Sequence, residues 1–146
     1  DKNISKMVVE SAQMTACPLI RHGVQSNQMP LTRNGTPYKG GYQHHPCSKW
    51  AGDSRDNYIW LCCHAIELCR QFYLRDGKAH ACQSAVIDMV AMNEEIPKGE
   101  ITPYVQAMPD KYKDRDAVKA YRTYYIAEKS FARWEKGVKP PKWYYN

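Results

Sequence analysis

Between residues 53 and 77, Tyr58, Leu61, Cys62, Ala65, Leu68, Cys69 and Phe72 recur at intervals of three and four. That spacing places them on one face of an α-helix. Asp53 or Asp56 can accept the free amides of its first turn, and Gly77 suits a left-handed stop. A helix this long must bury its stripe against other elements, so it is expected to form the centre of the core.

The rest of the chain follows the same period. Ile4, Met7, Val8, Ser11, Ala12 and Thr15 share a face of a helix expected over residues 2–16, with Pro18 as its limit. Residues 80–93 give a shorter apolar helix before Pro97. A last long helix is predicted from an Asp116 N-cap to Gly137, with Val118, Tyr121, Tyr125, Phe131 and Trp134 supplying much of its buried side. Residues 23–46, rich in glycine and proline, read as loop, as does the stretch from Pro97 to about residue 115. Trp50 and Trp60 read as core. No stretch sustains a two-residue alternation with β-branched side chains. The expectation is therefore all-α: residues 1–146 as one compact helical bundle of about four main helices with long irregular loops.

Charge narrows the function. The chain carries 21 Lys and Arg against 15 Asp and Glu, a net charge of +6, together with 11 tyrosines, a balance that suits a polyanionic partner. No apolar run approaches the roughly 20 residues needed to cross a bilayer. Cysteines at 17, 47, 62, 63, 69 and 82 match neither a secreted disulfide scaffold nor paired zinc knuckles. They point to a reducing compartment such as the cytoplasm. His45, Cys47, Cys63 and His64 can be drawn as zinc ligands, but Cys63 and His64 are neighbours pointing about 100° apart on a helix. No metal site and no cofactor are expected.

Phosphate loops, HExxH and GxSxG are absent from the sequence. Four weaker arrangements remain. Glu10 reads either as a dry carboxylate able to hand over a proton or as a surface glutamate pairing with Lys6. In "HHPCSKW", Pro46 presets the backbone of His45, so His44, His45 and Lys49 can meet a phosphate, or an imidazole can close a helix end. "GKAH" offers Lys78 and His80 beside a helix start. Finally, "KSFARWEKGVKPPKWYYN" interleaves Lys129, Arg133, Lys136, Lys139 and Lys142 with Trp134, Trp143, Tyr144 and Tyr145. Such rings can stack on bases while the cations neutralise phosphates, or Trp143 can fold back as a clasp.

Three blocks together resemble the pyrimidine-dimer DNA glycosylases of the phage endonuclease V type. "DKNISKMVVE" resembles that family's opening helix, in which the catalytic glutamate is placed as Glu10 is relative to Asp1. "HPCSKW", "YIWL" and "LRDGK" resemble its middle segment. "PDKY", "YRTYYIAEK" and "PPKWYY" resemble its closing helix and the tail that lies near damaged DNA. Asn3, Val9 and Gln13 stand where the family carries a histidine and phosphate-binding arginines.

The resemblance implies a glycosylase and abasic-site lyase acting on damaged or modified pyrimidines in DNA. An amine upstream of Asp1 would attack the sugar C1′, and Glu10 would stabilise the charge that develops. Arg21, Lys78, Arg122 and Lys142 would hold phosphates, and the terminal rings would support the opened site. A viral origin fits the resemblance, which places the protein in the host cytoplasm or with the virion. A second reading keeps the fold and drops catalysis, leaving a basic DNA- or nucleotide-binding accessory protein. A third makes "KWYYN" an aromatic anchor for another protein. The glycosylase reading expects Glu10 and Trp143 on one groove.

Overall fold

The computed structural model describes residues 1–145 and is all-α, with no β-strand among those residues and a single isolated bridge between Leu31 and Pro37. Five helices follow in order: α1 (Ile4–Arg21), α2 (Pro46–Asp53), α3 (Arg55–Asp76), α4 (Gln83–Ala91) and α5 (Ala117–Glu128). Short 3₁₀ turns lie at Ser26–Gln28, Asn93–Glu95, Asp110–Tyr112 and Lys142–Tyr144.

Helix α3 is the centre, with α1, α2 and α4 packed against it. Ala12, Ala16 and Leu19 of α1 meet Tyr58, Cys62 and Ala65 of α3 and Val86 and Met89 of α4 in one cluster. The small residues let the helix backbones approach closely. Val8 closes one end against Cys69 and Phe72, while Trp50, Ala51 and Leu61 close the other with Met14 and Val105. Tyr58 is fully buried, so its hydroxyl needs a partner, and it donates to the Met89 carbonyl at 2.7 Å. Gly77 ends α3 in the left-handed conformation, as expected from the sequence.

Four details differ from the sequence reading. Neither Asp53 nor Asp56 caps α3. Ser54, extended between α2 and α3, does so by accepting from the Asn57 amide at 3.2 Å. Helix α1 runs through Pro18 to Arg21. A helix-interior proline costs one backbone hydrogen bond and a steric clash, about 3 kcal/mol, and the complete burial of Leu19 offsets it. Met7, placed on the buried face by the sequence, is instead exposed, as is Trp60. The fourth difference is α2 itself, which begins where the predicted 23–46 loop ends and fills residues given no helix from the sequence, because Pro46 is preset for a first helical turn and His45 caps it.

The largest difference lies in α5. It stops at Glu128 rather than Gly137, and Ala120 is its only buried residue. Val118, Tyr121, Tyr125 and Phe131 are exposed, and Trp134 is half-buried outside the helix. The cause is that α5 rests on loop segments rather than on the bundle. The Tyr121 hydroxyl donates to the Val105 carbonyl at 2.9 Å and accepts from the Ala107 amide at 3.1 Å. Beyond Glu128, the Glu135 and Lys136 amides donate to the Asp1 carboxylate instead of continuing a helical ladder. Among the described residues, no helix is long and apolar enough to cross a membrane.

Candidate nucleic-acid interface

The candidate residues do not share one groove. The first place they occupy is an open groove of about 580 Å³ between the end of α1, the 39–44 loop and α2, and it brings Arg21, His44 and Lys49 together with Lys39. Asp53 is the one carboxylate in its lining. Close backbone approach builds this groove. Gly40, at φ +69°, lies so near α1 that a Cβ there would sit 3.0 Å from the Cys17 Sγ. Gly52 leaves room for the Arg21 side chain, which would meet a Cβ at 2.8 Å. Arg21 crosses that gap to donate to the Lys49 carbonyl and the Asp53 carboxylate, both at 3.0 Å. On the opposite side, the Gly41 amide donates to Gln13 Oε1 at 3.2 Å. Burial raises the Cys17 thiol above its ordinary value, so it is a neutral lining group; it donates to the Gln13 carbonyl at 3.3 Å. His45 is outside the groove's lining; its Nδ1 accepts the Cys47 amide at 3.1 Å and caps α2, which leaves the ring proton on Nε2.

The second place is the C-terminal unit. Pro141 leads into the Lys142–Tyr144 turn, which folds back onto α5. Trp143 meets Tyr125 edge to face at 5.8 Å, and the Arg122 guanidinium lies over the Trp143 ring at 5.5 Å. Tyr144 packs on Trp134 at 4.6 Å and on Tyr145 at 5.3 Å. Lys129 lies over both Tyr124 and Phe131 at 5.7 Å. The result is a surface of rings and cations in which Tyr145 is 73% exposed and Lys142 is exposed as well.

The remaining residues lie elsewhere. Lys78 lines a second groove of about 560 Å³ with Lys2, Arg133 and Lys136, where Asp1, Asp76 and Glu135 alternate with the cations. The Lys136 ammonium is held by Asp76 at 2.6 Å. Glu10 lines neither groove and pairs with Lys6 at 3.4 Å, the helix-surface arrangement of a glutamate and a lysine one turn apart. Trp143 lines neither groove as well, so the expected meeting of Glu10 with the ringed tail is not made in either.

His80 is a correction to the sequence reading. It is buried, packs edge-on against Phe72 at 4.7 Å, and cannot reach a phosphate. Its Nδ1 accepts the Cys82 amide at 3.1 Å, which leaves the proton on Nε2 to donate to Ser5 Oγ at 3.1 Å. In that tautomer His80 cannot act as a base toward Ser5. Burial lowers its basicity, outweighing the opposing contact with Ser5. The folded state therefore binds this proton more weakly than the unfolded state, so His80 contributes full stability above the unfolded value of about 6.5 and loses it as pH falls below that. His80→Asn, whose amide oxygen can accept from Cys82 without titrating, should flatten the loss of melting temperature between pH 7 and pH 5. An unchanged slope would show that another group titrates.

Among the described residues, no three His, Cys, Asp or Glu side chains gather to hold a metal ion. His64, one of the ligands drawn from the sequence, stacks on Trp60 instead at 5.7 Å with the rings 7° from parallel. All six cysteines are free thiols. Two residues not singled out from the sequence matter here: Lys39 lines the first groove, and Asp1 binds Arg75 and the amides of Glu135 and Lys136. The signal for Lys39 was its place beside two glycines, and Asp1 gave none. No protein-family model, curated protein or solved structure matches the chain.

Proposed function

We propose that the chain binds DNA through the α5 and C-terminal unit, without excising bases. The reading rests on one observation: Arg122 is already laid across Trp143, and Trp143 and Tyr144 are already packed on Tyr125. Rings held this way lose little ordering entropy on meeting a strand, while Lys142 and Tyr145 remain open to phosphate and base. The pairing of Glu10 with Lys6 supports binding over catalysis, because a carboxylate held by a surface lysine is not a dry acid. A borohydride incubation with damaged duplex is accordingly expected to trap no covalent species.

DNA affinity should fall by orders of magnitude between low and high salt, since released counterions drive the phosphate contacts. Tyr145→Ala should weaken binding about 5- to 150-fold, the worth of roughly 1–3 kcal/mol of stacking on one base. Lys142→Ala should shave about one unit from the salt slope at every sequence tested. Fluorescence anisotropy across a salt series reads all three. Affinity indifferent to salt, or to loss of Tyr145, would remove the proposal.

A further inference from the structure

We infer that the groove between α1 and α2 is a site for a phosphate monoester, distinct from the ring-bearing unit proposed to meet the DNA strand. Three cations from separate segments, Arg21, Lys39 and Lys49, face it, and Asp53 is the one carboxylate in its lining. Two positive charges are thus left in excess, which matches a monoester phosphate at about −1.5 to −2 better than a diester at −1. His44 adds a further donor at the rim. Its volume of about 580 Å³ takes a phosphate with a nucleoside-sized substituent.

A second feature points to a ligand. Ser48 lines the same groove, is 98% buried, and its Oγ has no hydrogen-bond partner. Buried hydroxyls are rarely left so, because a lost partner costs as much as a hydrogen bond. The thiol of Cys17 lies beside it, but that proton is already donated to Gln13, and a thiol sulfur is a weak acceptor. Ser48 also stands in the first turn of α2, where the helix dipole favours an anion. A phosphate oxygen that presses into the floor of the groove supplies a stronger acceptor than the neighbouring Cys17 sulfur.

The full chain is titrated calorimetrically with inorganic phosphate, with a nucleoside 5′-monophosphate and with dimethyl phosphate. Saturable one-to-one binding of the first two, at least tenfold tighter than that of the diester, is expected. Ser48→Ala should lower that affinity about tenfold while leaving the melting temperature unchanged or raised, because no partner is lost. Lys39→Ala with Lys49→Ala should abolish it. No saturable phosphate binding, equal binding of the diester, or an S48A variant of wild-type affinity would each overturn the assignment.

The source of the phosphate is read by comparing 5′-phosphorylated and 5′-hydroxyl oligonucleotides. Tighter binding of the phosphorylated strand assigns the groove to a DNA end, and equal binding assigns it to a free phosphate ester. If neither strand binds while inorganic phosphate does, the DNA reading fails and the groove assignment stands.

Discussion

Asn57→Ala should lower the unfolding free energy by roughly 3–4 kcal/mol, because it strands a buried carbonyl and a part-buried amide and leaves a cavity. Asn57 is fully buried in the first turn of α3. Its amide nitrogen donates to the Trp50 carbonyl and to Thr102 Oγ1, both at 2.8 Å, and its Oδ1 accepts from the Thr102 amide at 2.9 Å. Alanine there leaves the Trp50 carbonyl and the Thr102 amide without partners and opens a cavity. Nearby bonds follow the same seam: the Trp50 indole donates to the Pro103 carbonyl at 2.9 Å, and Ser54 donates to the Glu100 carbonyl at 2.8 Å. Thr102→Val, which removes one side-chain partner only, should cost nearer 1 kcal/mol. Urea unfolding with a common m-value separates the two variants. A cost for Asn57→Ala no greater than that of Thr102→Val would mean that water or rearrangement satisfies those groups.

That seam explains why some of the molecule could be read from its sequence and some could not. The stripe on α3, its Gly77 stop and the Asp116 cap were all legible. Each is a local arrangement, and Asp116 does accept the Val118 and Lys119 amides. The extent of α1 was not legible, since it depends on Leu19 finding the core beyond a proline. Nor was the exposure of the α5 rings: apolar spacing reports a face that can be buried, not whether a partner lies opposite it. Here Tyr121 holds a loop and Tyr125 holds the tail.

The candidate sites divide along the same line. His45 before Pro46 is a local capping signal, and it does cap α2. The cationic groove is a tertiary product. Arg21 and Lys49 are far apart in the chain, and only the close approaches at Gly40 and Gly52 bring them to one surface. His80 shows the opposite error. Its position beside a lysine and a helix start suggested an anion site, but its ring is consumed by Ser5, Cys82 and Phe72.

Arg75→Met should cost about 3 kcal/mol and release the segment that steadies the terminal rings. Arg75 donates from Nε to the Asp1 carboxylate at 2.7 Å, and both side chains are under a tenth exposed. A second nitrogen of the same guanidinium donates to the Gln71 carbonyl at 2.8 Å, which fixes its orientation. The other oxygen of Asp1 accepts the amides of Glu135 and Lys136. This carboxylate therefore joins α3 to the 133–136 stretch, and Trp134 in that stretch supports Tyr144. Removing one partner of a buried ion pair leaves an uncompensated charge, which costs more than the pair itself is worth. Relaxation of Asp1 toward solvent would come at the expense of its bonds to both amides. Hydrogen exchange should accordingly accelerate at Glu135 and Lys136 while the amides of α3 beneath Tyr58 and Cys62 keep their protection. DNA affinity should fall in step with that local opening, because the rings lose their preset position. Arg75→Lys should recover only part of the protection, since an ammonium cannot reproduce the oriented fork. Unchanged exchange at residues 135 and 136 in the methionine variant would show that the C-terminal unit is held by α5 alone.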